Sequence, residues 1–252
     1  MRQVFYSIAI FAIGVSCFPD SSTAAVITWG AVQATTTSAA DDIVDGGEVI
    51  LAINGQSQLN SSSRRPGSVV LDGITFQSLD YDQFLGASAI DDQRSLSLPE
   101  GRTTGDADYD VFLNHVAFVN TSNATNTANT GLSGTNTNAV YPIQGLTAGQ
   151  NYLIQLWYTD ERTWLDPRTA IFGDNESTES VVTLPGRGAN GFGNFVIGNF
   201  TADATTQDLR IAIDAAQRSH LTGLMVRAIP EPSAASLLGF TSLLLVARRR
   251  KR

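Results

Sequence analysis

Residues 151–160 read NYLIQLWYTD, and this stretch decides the fold class. Large apolar side chains stand at every second position, namely Tyr152, Ile154, Leu156 and Tyr158. The positions between them hold Leu153, Gln155, Trp157 and Thr159. Successive side chains of a β-strand point to opposite faces, so a period of two is typical of a half-buried strand. The stretch therefore predicts a strand whose even-numbered side chains face a core.

The same alternation recurs in Asp208–Asp214, where every second residue is Leu or Ile. Gly, Asn, Asp and Pro separate further short β-rich runs, which lie at Val26–Trp29, Val49–Ile53, Val69–Phe76, Thr169–Phe172, Val181–Leu184, Phe195–Phe200 and Leu224–Ile229. Each run has the composition of a strand and is bounded by turn residues. The clearest candidate for a short helix is Tyr109–Val119. Many short strands with few helices favour an all-β fold, namely an antiparallel, jelly-roll-like β-sandwich.

The first 25 residues have the parts of a secretory signal peptide. Arg2 is the one charge before a mostly apolar stretch from Val4 to Phe18, and small residues follow at Ser21–Ala25. A basic start, a short apolar segment and a small-residue exit are typical of a signal that is removed during export. We expect an N-terminal signal helix that engages the Sec machinery and signal peptidase. The alternatives are an uncleaved anchor and a lipid-modified Cys17, although Gly14 stands where lipoprotein signals carry Leu.

The C-terminus has three parts that suit a membrane boundary. Pro230, Glu231 and Pro232 precede an apolar run of 15 residues, Ser233–Ala247, and the chain closes with Arg248, Arg249, Arg250, Lys251 and Arg252. At about 1.5 Å per residue the run would form about 22 Å of helix, which is short against a hydrocarbon core of about 30 Å. Terminal arginines can reach the interface and offset part of the difference. The basic cluster should stay cytoplasmic, which leaves everything before Pro230 outside.

This tripartite tail resembles the PEP-CTERM sorting signal of Gram-negative bacteria. The resemblance covers about the last two dozen residues and rests on Pro230–Pro232, Ser233–Ala247 and Arg248–Arg252. It implies recognition by an exosortase-type membrane transpeptidase at or near Pro-Glu-Pro, and a final place at the cell surface or in an exopolysaccharide matrix. The inner membrane would then hold the chain only transiently. A plain C-terminal anchor helix is the alternative.

Residues 26–229 are expected to form one extracytoplasmic domain between the signal (1–25) and the sorting tail (230–252). The chain has 16 basic and 24 acidic residues, and the two ends hold six basic and two acidic ones, so the domain has 10 basic and 22 acidic residues. Such an acidic domain excludes binding to a nucleic-acid backbone, which needs clustered cations. The domain contains no Cys, so it has neither disulfides nor a thiol nucleophile. The Thr- and Asn-rich stretch 120–138 is expected to be a mobile surface loop.

A second resemblance involves residues 145–160, which include the strand 151–160. The segment Gly145–Gln150, followed by Tyr152, leads into a strand that ends at Asp160. This arrangement resembles a turn-and-strand signature of galactose-binding-like and other carbohydrate-binding jelly rolls. It covers about 16 residues, with Thr147 and Gly149 in the turn and Tyr152 opening the core face. The resemblance implies a fold more than a ligand.

The segment that follows this strand is the most ligand-like surface in the sequence. It carries the candidate ligand-binding residues Asp160, Arg162, Trp164 and Arg168. Proteins bind sugars by stacking aromatic faces on C–H groups and by hydrogen-bonding the hydroxyls with charged or amide side chains. These residue types make a glycan site the functional hypothesis. In the alternative, Trp164 caps the core and the arginines pair with nearby Asp.

The sequence contains no recognisable catalytic motif. The two histidines, His115 and His220, have no ligand or triad partner at suitable spacing, and we interpret them as structural. Asp106, Asp108 and Asp110 resemble the start of a calcium loop, but Val111 and Ala117 replace the Gly and Glu that an EF-hand requires. A looser calcium site or a solvated acidic turn remain open. No metal or cofactor is predicted.

Candidate carboxylates for glycoside cleavage cannot be recognised from spacing along the chain, because their separation is spatial. Glu100, Asp160, Glu161 and Asp166 qualify only by residue type. The sequence therefore predicts a non-enzymatic, exported, cell-surface or matrix protein with a glycan-binding option. A secreted polysaccharide-acting hydrolase and a purely structural or adhesive matrix protein are the alternatives.

Overall fold

The computed structural model of the chain describes residues 25–55, 67–79, 90–94, 102–119, 138–161, 169–174, 180–212 and 220–230. The described residues form two helices, α1 (Ala39–Asp42) and α2 (Ala107–Asn114), and fifteen strands. The strands are β1 (Thr28–Trp29), β2 (Gln33–Ala34), β3 (Glu48–Asn54), β4 (Ser68–Leu71), β5 (Ile74–Ser78), β6 (Ile90–Arg94), β7 (His115–Val119), β8 (Asn138–Gln144), β9 (Asn151–Tyr158), β10 (Thr169–Gly173), β11 (Val181–Pro185), β12 (Asn194–Thr201), β13 (Thr206–Ala212), β14 (His220–Leu221) and β15 (Gly223–Ala228).

The strands form three sheets, two of which pack face to face as a sandwich. The large sheet has the order β1-β12-β9-β15-β3-β5-β4, and β2 also pairs with β12. The small sheet has the order β11-β10-β13-β8, and a third sheet joins β14, β7 and β6. The predicted all-β sandwich is confirmed at this level.

One pair of strands departs from the expected antiparallel arrangement. β4 and β5 form a hairpin whose turn holds Asp72 (φ 47°) and Gly73 (φ 74°), as an Asp-Gly hairpin turn requires. The second strand of this hairpin, β5, lies against β3, and the two run parallel. The chain must therefore leave β3 at Gly55 and return to the same end of the sheet before β4 begins. The other pairs among the described residues are antiparallel.

The strand registers give the large sheet two distinguishable ends. At one end Asn151 of β9 lies opposite Thr201 of β12, next to Ala228 of β15; we call this the tail end. At the other end Tyr158 lies opposite Asn194, next to Gly223; we call this the loop end. At about 3.3 Å per residue, the eight residues of β9 separate the two ends by about 23 Å.

The main core lies between the large and the small sheet. The even-numbered side chains of β9 face it, as the alternation predicts, and meet apolar side chains of β8, β10 and β13. Tyr152 is 2 % exposed and stacks on Phe200, with ring centroids 5.4 Å apart. Burial of these large apolar side chains supplies the main favourable free energy of folding in a domain without disulfides.

A second core covers the opposite face of the large sheet, and it corrects the prediction of a half-buried strand. Gln155 and Trp157, on the other face of β9, are both fully buried. Phe112 of α2 and Phe76 of β5 pack edge-on against Trp157, with centroid distances of 5.4 and 5.8 Å. Gly223 lies directly beneath Phe112, where a Cβ atom would overlap the ring. The large sheet is therefore buried on both faces in its centre.

Most predicted elements are present, but the predicted run Val69–Phe76 is a hairpin of two strands, β4 and β5, and the sequence did not predict α1, β2, β6 or β14. The predicted helix Tyr109–Val119 is wrong for its last five residues, because the chain leaves α2 at Asn114 and enters β7 with the β-branched and aromatic run His115–Val119. Strand β8 was not predicted; Pro142 interrupts its pattern, which is tolerated because β8 is an edge strand. The turn before β9 is confirmed, since Gly149 has φ 85°, the Gln150 N–H bonds to the Thr147 carbonyl, and the Thr147 N–H donates to the Tyr152 hydroxyl.

Several predictions fall outside the described residues. They are the signal helix 1–25 apart from Ala25, the loop 120–138 apart from Asn138, and the apolar helix and basic cluster of the tail. Over the ranges that the structure describes, neither helix has the length and apolar character needed to cross a bilayer.

Candidate functional site

Strand β9 delivers two carboxylates, Asp160 and Glu161, to the loop end of the sheet. Both side chains are buried, with 4 % and 6 % of their surface exposed. The backbone here is fastened on both sides: the Thr159 N–H donates to the Thr222 hydroxyl (3.0 Å) and the Asp160 N–H to the Gly186 carbonyl (2.9 Å). The end of β9 is therefore held in place before the chain continues into residues 162–168.

Glu161 organises the segment Gly186–Gly193, which we call the glycine-rich loop. Its Oε1 atom accepts hydrogen bonds from the backbone N–H groups of Gly188 (2.7 Å) and Gly193 (2.9 Å). Hydrogen bonds to an ionised acceptor are stronger than neutral ones, and burial strengthens them further. The carboxylate thus closes the loop by joining its two halves.

The loop can close in this way only because glycine stands at the contact positions. A Cβ atom on Gly188 would overlap the carbonyl of Gly193, and one on Gly193 would overlap Thr159. Gly193 also has a φ of 90°, in the left-handed region that glycine adopts without strain. Glycine is therefore a structural requirement at positions 188 and 193 of this loop.

Arg102 and Asn194 hold the loop from outside. The Arg102 guanidinium donates to the Asn190 carbonyl (2.6 Å) and lies over the Phe192 ring, 5.5 Å from its centroid. The Asn194 side-chain amide donates to the carbonyls of Pro185 (2.7 Å) and Arg187 (2.9 Å). The result is a stiff, cross-linked loop beside the point where residues 162–168 leave β9.

Of the four predicted ligand-binding residues, the structure places one. Asp160 is at the loop end and is buried, so its carboxylate does not project into solvent. Arg162, Trp164 and Arg168 lie outside the described residues. The features that sequence reasoning missed are the Glu161 clamp and the contacts of Arg102. The density of glycine in residues 186–193 was the available signal for the loop itself.

Of the predicted sorting residues, the structure places Pro230. It is exposed and follows Ile229, whose N–H donates to the Asn151 carbonyl (2.8 Å) at the tail end. The other sorting residues lie outside the described ranges, and they are Glu231, Pro232, Arg248, Arg249, Arg250, Lys251 and Arg252.

The two histidines and two members of the Asp triplet, Asp106 and Asp110, make structural hydrogen bonds in the folded chain. His115 and His220 are buried, and each has a ring nitrogen against a backbone carbonyl, of Val111 (2.5 Å) and Thr159 (2.8 Å) respectively. Asp106 caps α2 by accepting from the Asp108 and Tyr109 N–H groups. Asp110 accepts from the Thr104 N–H (2.7 Å) and from the hydroxyls of Thr103 and Thr104. Among the residues that the structure describes, no three His, Cys, Asp or Glu side chains converge to hold a metal.

A buried polar group that the sequence did not reveal joins α1 to α2 beneath the second core. Asp42 is 2 % exposed, and its Oδ2 atom accepts from the Thr36 N–H (2.8 Å) and from the Tyr109 hydroxyl (2.5 Å). The Gln155 amide bridges the backbone of Asp42 and Val44. Burial raises the pKa of Asp42 above its ordinary value, against the lowering effect of the Tyr109 hydrogen bond. Burial and the neighbouring Asp42 also raise the pKa of Tyr109.

Comparison with protein-family models, with curated proteins and with solved structures finds no match for this chain. The described residues themselves show an all-β protein in which two sheets pack against each other. Its distinguishing features are a clamped glycine-rich loop at one end and the Pro-Glu-Pro tail at the other.

Proposed function

We propose that the chain is an exported, non-enzymatic protein of the cell surface or exopolysaccharide matrix. An exosortase-type transpeptidase sorts it, and the loop end of its sandwich binds a glycan. The observation that carries the proposal is the placement of the tail motif: the last strand, β15, leads through the single residue Ile229 into Pro230-Glu231-Pro232.

Both boundaries of the domain lie at the tail end, which supports attachment to one membrane face. Thr28 of β1 pairs with Asn199, which in turn pairs with Leu153, two residues from the start of β9. Ile27 is already buried, so a cut after Ala24 or Ala25 would leave only one or two residues before the fold begins. A chain held at both ends by the same membrane during export can fold with this topology.

The opposite position of the candidate ligand residues supports a binding role for the loop end. Residues 162–168 leave β9 at the end of the sheet that is about 23 Å from the tail exit. In an anchored or sorted protein this end would face away from the membrane. The Glu161 clamp and Arg102 stiffen its surroundings, and a stiff frame reduces the entropy lost on binding.

The finer fold that we propose is a jelly roll. Consecutive strands cross repeatedly between the two packed sheets, from β8 to β9, from β11 to β12 and from β12 to β13. Such crossings are typical of jelly rolls and Greek keys. The parallel β3–β5 pair would then be an insertion at one edge of the large sheet.

A glycan array probed with the mature, signal-processed protein tests the binding proposal. We expect a neutral polysaccharide fragment to bind, and Trp164→Ala to abolish its binding. Val70→Ala, which changes an exposed residue of β4, is the matched control and should bind normally. Failure of the wild-type protein to bind any glycan would favour a structural matrix protein. Release of reducing sugar ends from a bound polysaccharide would favour a hydrolase, and either outcome contradicts the proposal.

A further inference from the structure

The residues just before the sorting motif lie in the middle of the large sheet. β15 runs between β9 on one side and β3 on the other, so both of its edges are hydrogen-bonded. Arg227 pairs with Leu153 and Val49, and Ala228 pairs with Tyr152 and Glu48. A strand in this position can be removed from its sheet only by breaking two ladders at once.

Additional contacts hold the last residues of the strand. The Arg227 guanidinium donates to the Gly47 carbonyl (3.2 Å), and the backbone of Gly47 lies so close to the Ala228 carbonyl that a Cβ atom there would overlap it. Ile229 continues the pairing beyond β15. Its N–H donates to the Asn151 carbonyl (2.8 Å), and its carbonyl accepts from the Gln150 side-chain amide.

Within the described part of the chain, the hydrogen bonds to the sheet continue as far as Ile229. Pro230 has no N–H to offer to the sheet, and it is exposed. Two residues paired on both sides, Arg227 and Ala228, and one residue hydrogen-bonded on the β9 side, Ile229, are therefore followed directly by the first residue of the sorting motif.

From this arrangement we propose that the end of β15 acts as a stop for processing, so that the scissile bond lies on the C-terminal side of Pro230. In the cleavage step, the nucleophile of the transpeptidase adds to the carbonyl carbon of the scissile bond and gives its proton to the tail, which leaves as an amine when the C–N bond breaks. Water, or an acceptor amine or hydroxyl, then takes the acyl group and returns a proton to the enzyme. The nucleophile cannot approach the carbonyls of Arg227 to Ile229 while these residues are paired.

This inference rests on the proposed sorting function and adds to it the position of the cut and its dependence on folding. The stop operates when the domain folds before the tail is processed. Folding thereby protects the paired end of β15 from the enzyme.

Intact-mass measurement of the full chain isolated from the envelope tests the inference. We expect a mature form whose last domain-derived residue is Pro230, Glu231 or a later residue. A cut form that ends at Ile229 or earlier would overturn the stop while leaving the sorting function standing. A form that retains Arg248–Arg252 would contradict the sorting function itself.

A pair of length variants provides an independent test. Deletion of Ala228 and Ile229 draws Pro-Glu-Pro toward the sheet and should slow tail removal, whereas insertion of Gly-Ser-Gly-Ser between Ile229 and Pro230 should not. Folding of each variant is checked by its thermal transition. A folded deletion variant that is processed at the wild-type rate would contradict the stop. If the deletion variant does not fold, the mass of the wild-type form decides.

Discussion

The carboxylate of Glu161 lies 2.7 Å from the backbone nitrogen of Gly188, 27 positions further along the chain. A second hydrogen bond, to the Gly193 nitrogen at 2.9 Å, makes this buried side chain the closure of the glycine-rich loop. By residue type alone Glu161 is a candidate catalytic carboxylate, but its Oε1 atom accepts two hydrogen bonds from backbone N–H groups. This relationship determines how the loop end should respond to substitution.

Replacing Glu161 should destabilise the domain, because its carboxylate accepts two backbone hydrogen bonds. Glu161→Ala leaves two N–H groups without their acceptor, and each buried unsatisfied group costs about 1–3 kcal/mol. We expect a loss of about 2–6 kcal/mol in the free energy of unfolding, and a smaller loss for Glu161→Gln, which keeps a neutral acceptor. Urea denaturation measures both. Asp203→Ala, on an exposed turn, is the control, and equal stability of all three variants would contradict the clamp.

Asp42 should make the domain less stable as the pH rises. Its pKa in the folded chain is raised above the ordinary value of 3.8, chiefly by burial, so the folded chain binds the proton more tightly than the unfolded chain. The stabilisation is complete below pH 3.8 and is lost as the pH rises through the folded-state pKa. Asp42→Asn should remove this slope from the unfolding free energy measured between pH 3.5 and 8.

The neighbouring exposed residue provides the control for this experiment. Asp41→Asn changes the same charge one position away, at a side chain that does not reach the second core. The slope should persist in that variant with a small reduction, because the charge of Asp41 is the smallest of the causes that raise the pKa of Asp42. If Asp42→Asn retains the wild-type slope, the ionisation of Asp42 is not its source.

Alanine substitution of two adjacent glycines, Gly46 and Gly47, distinguishes the cost of backbone strain from the cost of a steric overlap at the tail end. Gly46 (φ 95°) has open space around a built Cβ atom, whereas a Cβ atom on Gly47 (φ 75°) would overlap the Ala228 carbonyl. Gly46→Ala should cost only the left-handed conformation, about 1 kcal/mol. Gly47→Ala must also displace β15 and should cost clearly more. Thermal unfolding compares the two, and similar costs would mean that Ala228 is not held as described.

The sequence alone predicts the elements whose residue pattern lies within one short stretch of the chain. The alternation in residues 151–160 and the turn at Thr147–Gly149 predict β9 and the core face of Tyr152. The burial of Gln155 and Trp157 could not be predicted, because it depends on α2 and β5, which come from distant parts of the chain. The contacts of Asp42 with Tyr109 and of Glu161 with Gly188 span 67 and 27 positions and have no local pattern.

The membrane orientation that we expect from the charges of the proposed sorting tail can be measured with a reporter. Alkaline phosphatase fused after Arg252 should be inactive in cells that lack the sorting enzyme, because a basic cluster beside an apolar segment stays cytoplasmic. The same reporter fused after Pro230, with the tail removed, should be exported and active. Activity of the first fusion would reverse the expected orientation.

The last prediction concerns the Pro-Glu-Pro motif and separates sorting from folding. Replacing Pro230, Glu231 and Pro232 with alanine should leave export and folding intact, because the last hydrogen-bonded residue of the sheet is Ile229 and Pro230 is exposed. The substitution also removes the proline constraint that disfavours helix at the preceding residue. We expect full-length protein to accumulate in the inner membrane with an unchanged thermal transition, as seen by fractionation and intact mass. Ser233→Ala, just beyond the motif, is the matched control and should be processed normally. Normal removal of the tail from the triple-alanine variant would show that the motif does not direct processing, and the tail would then be a plain anchor.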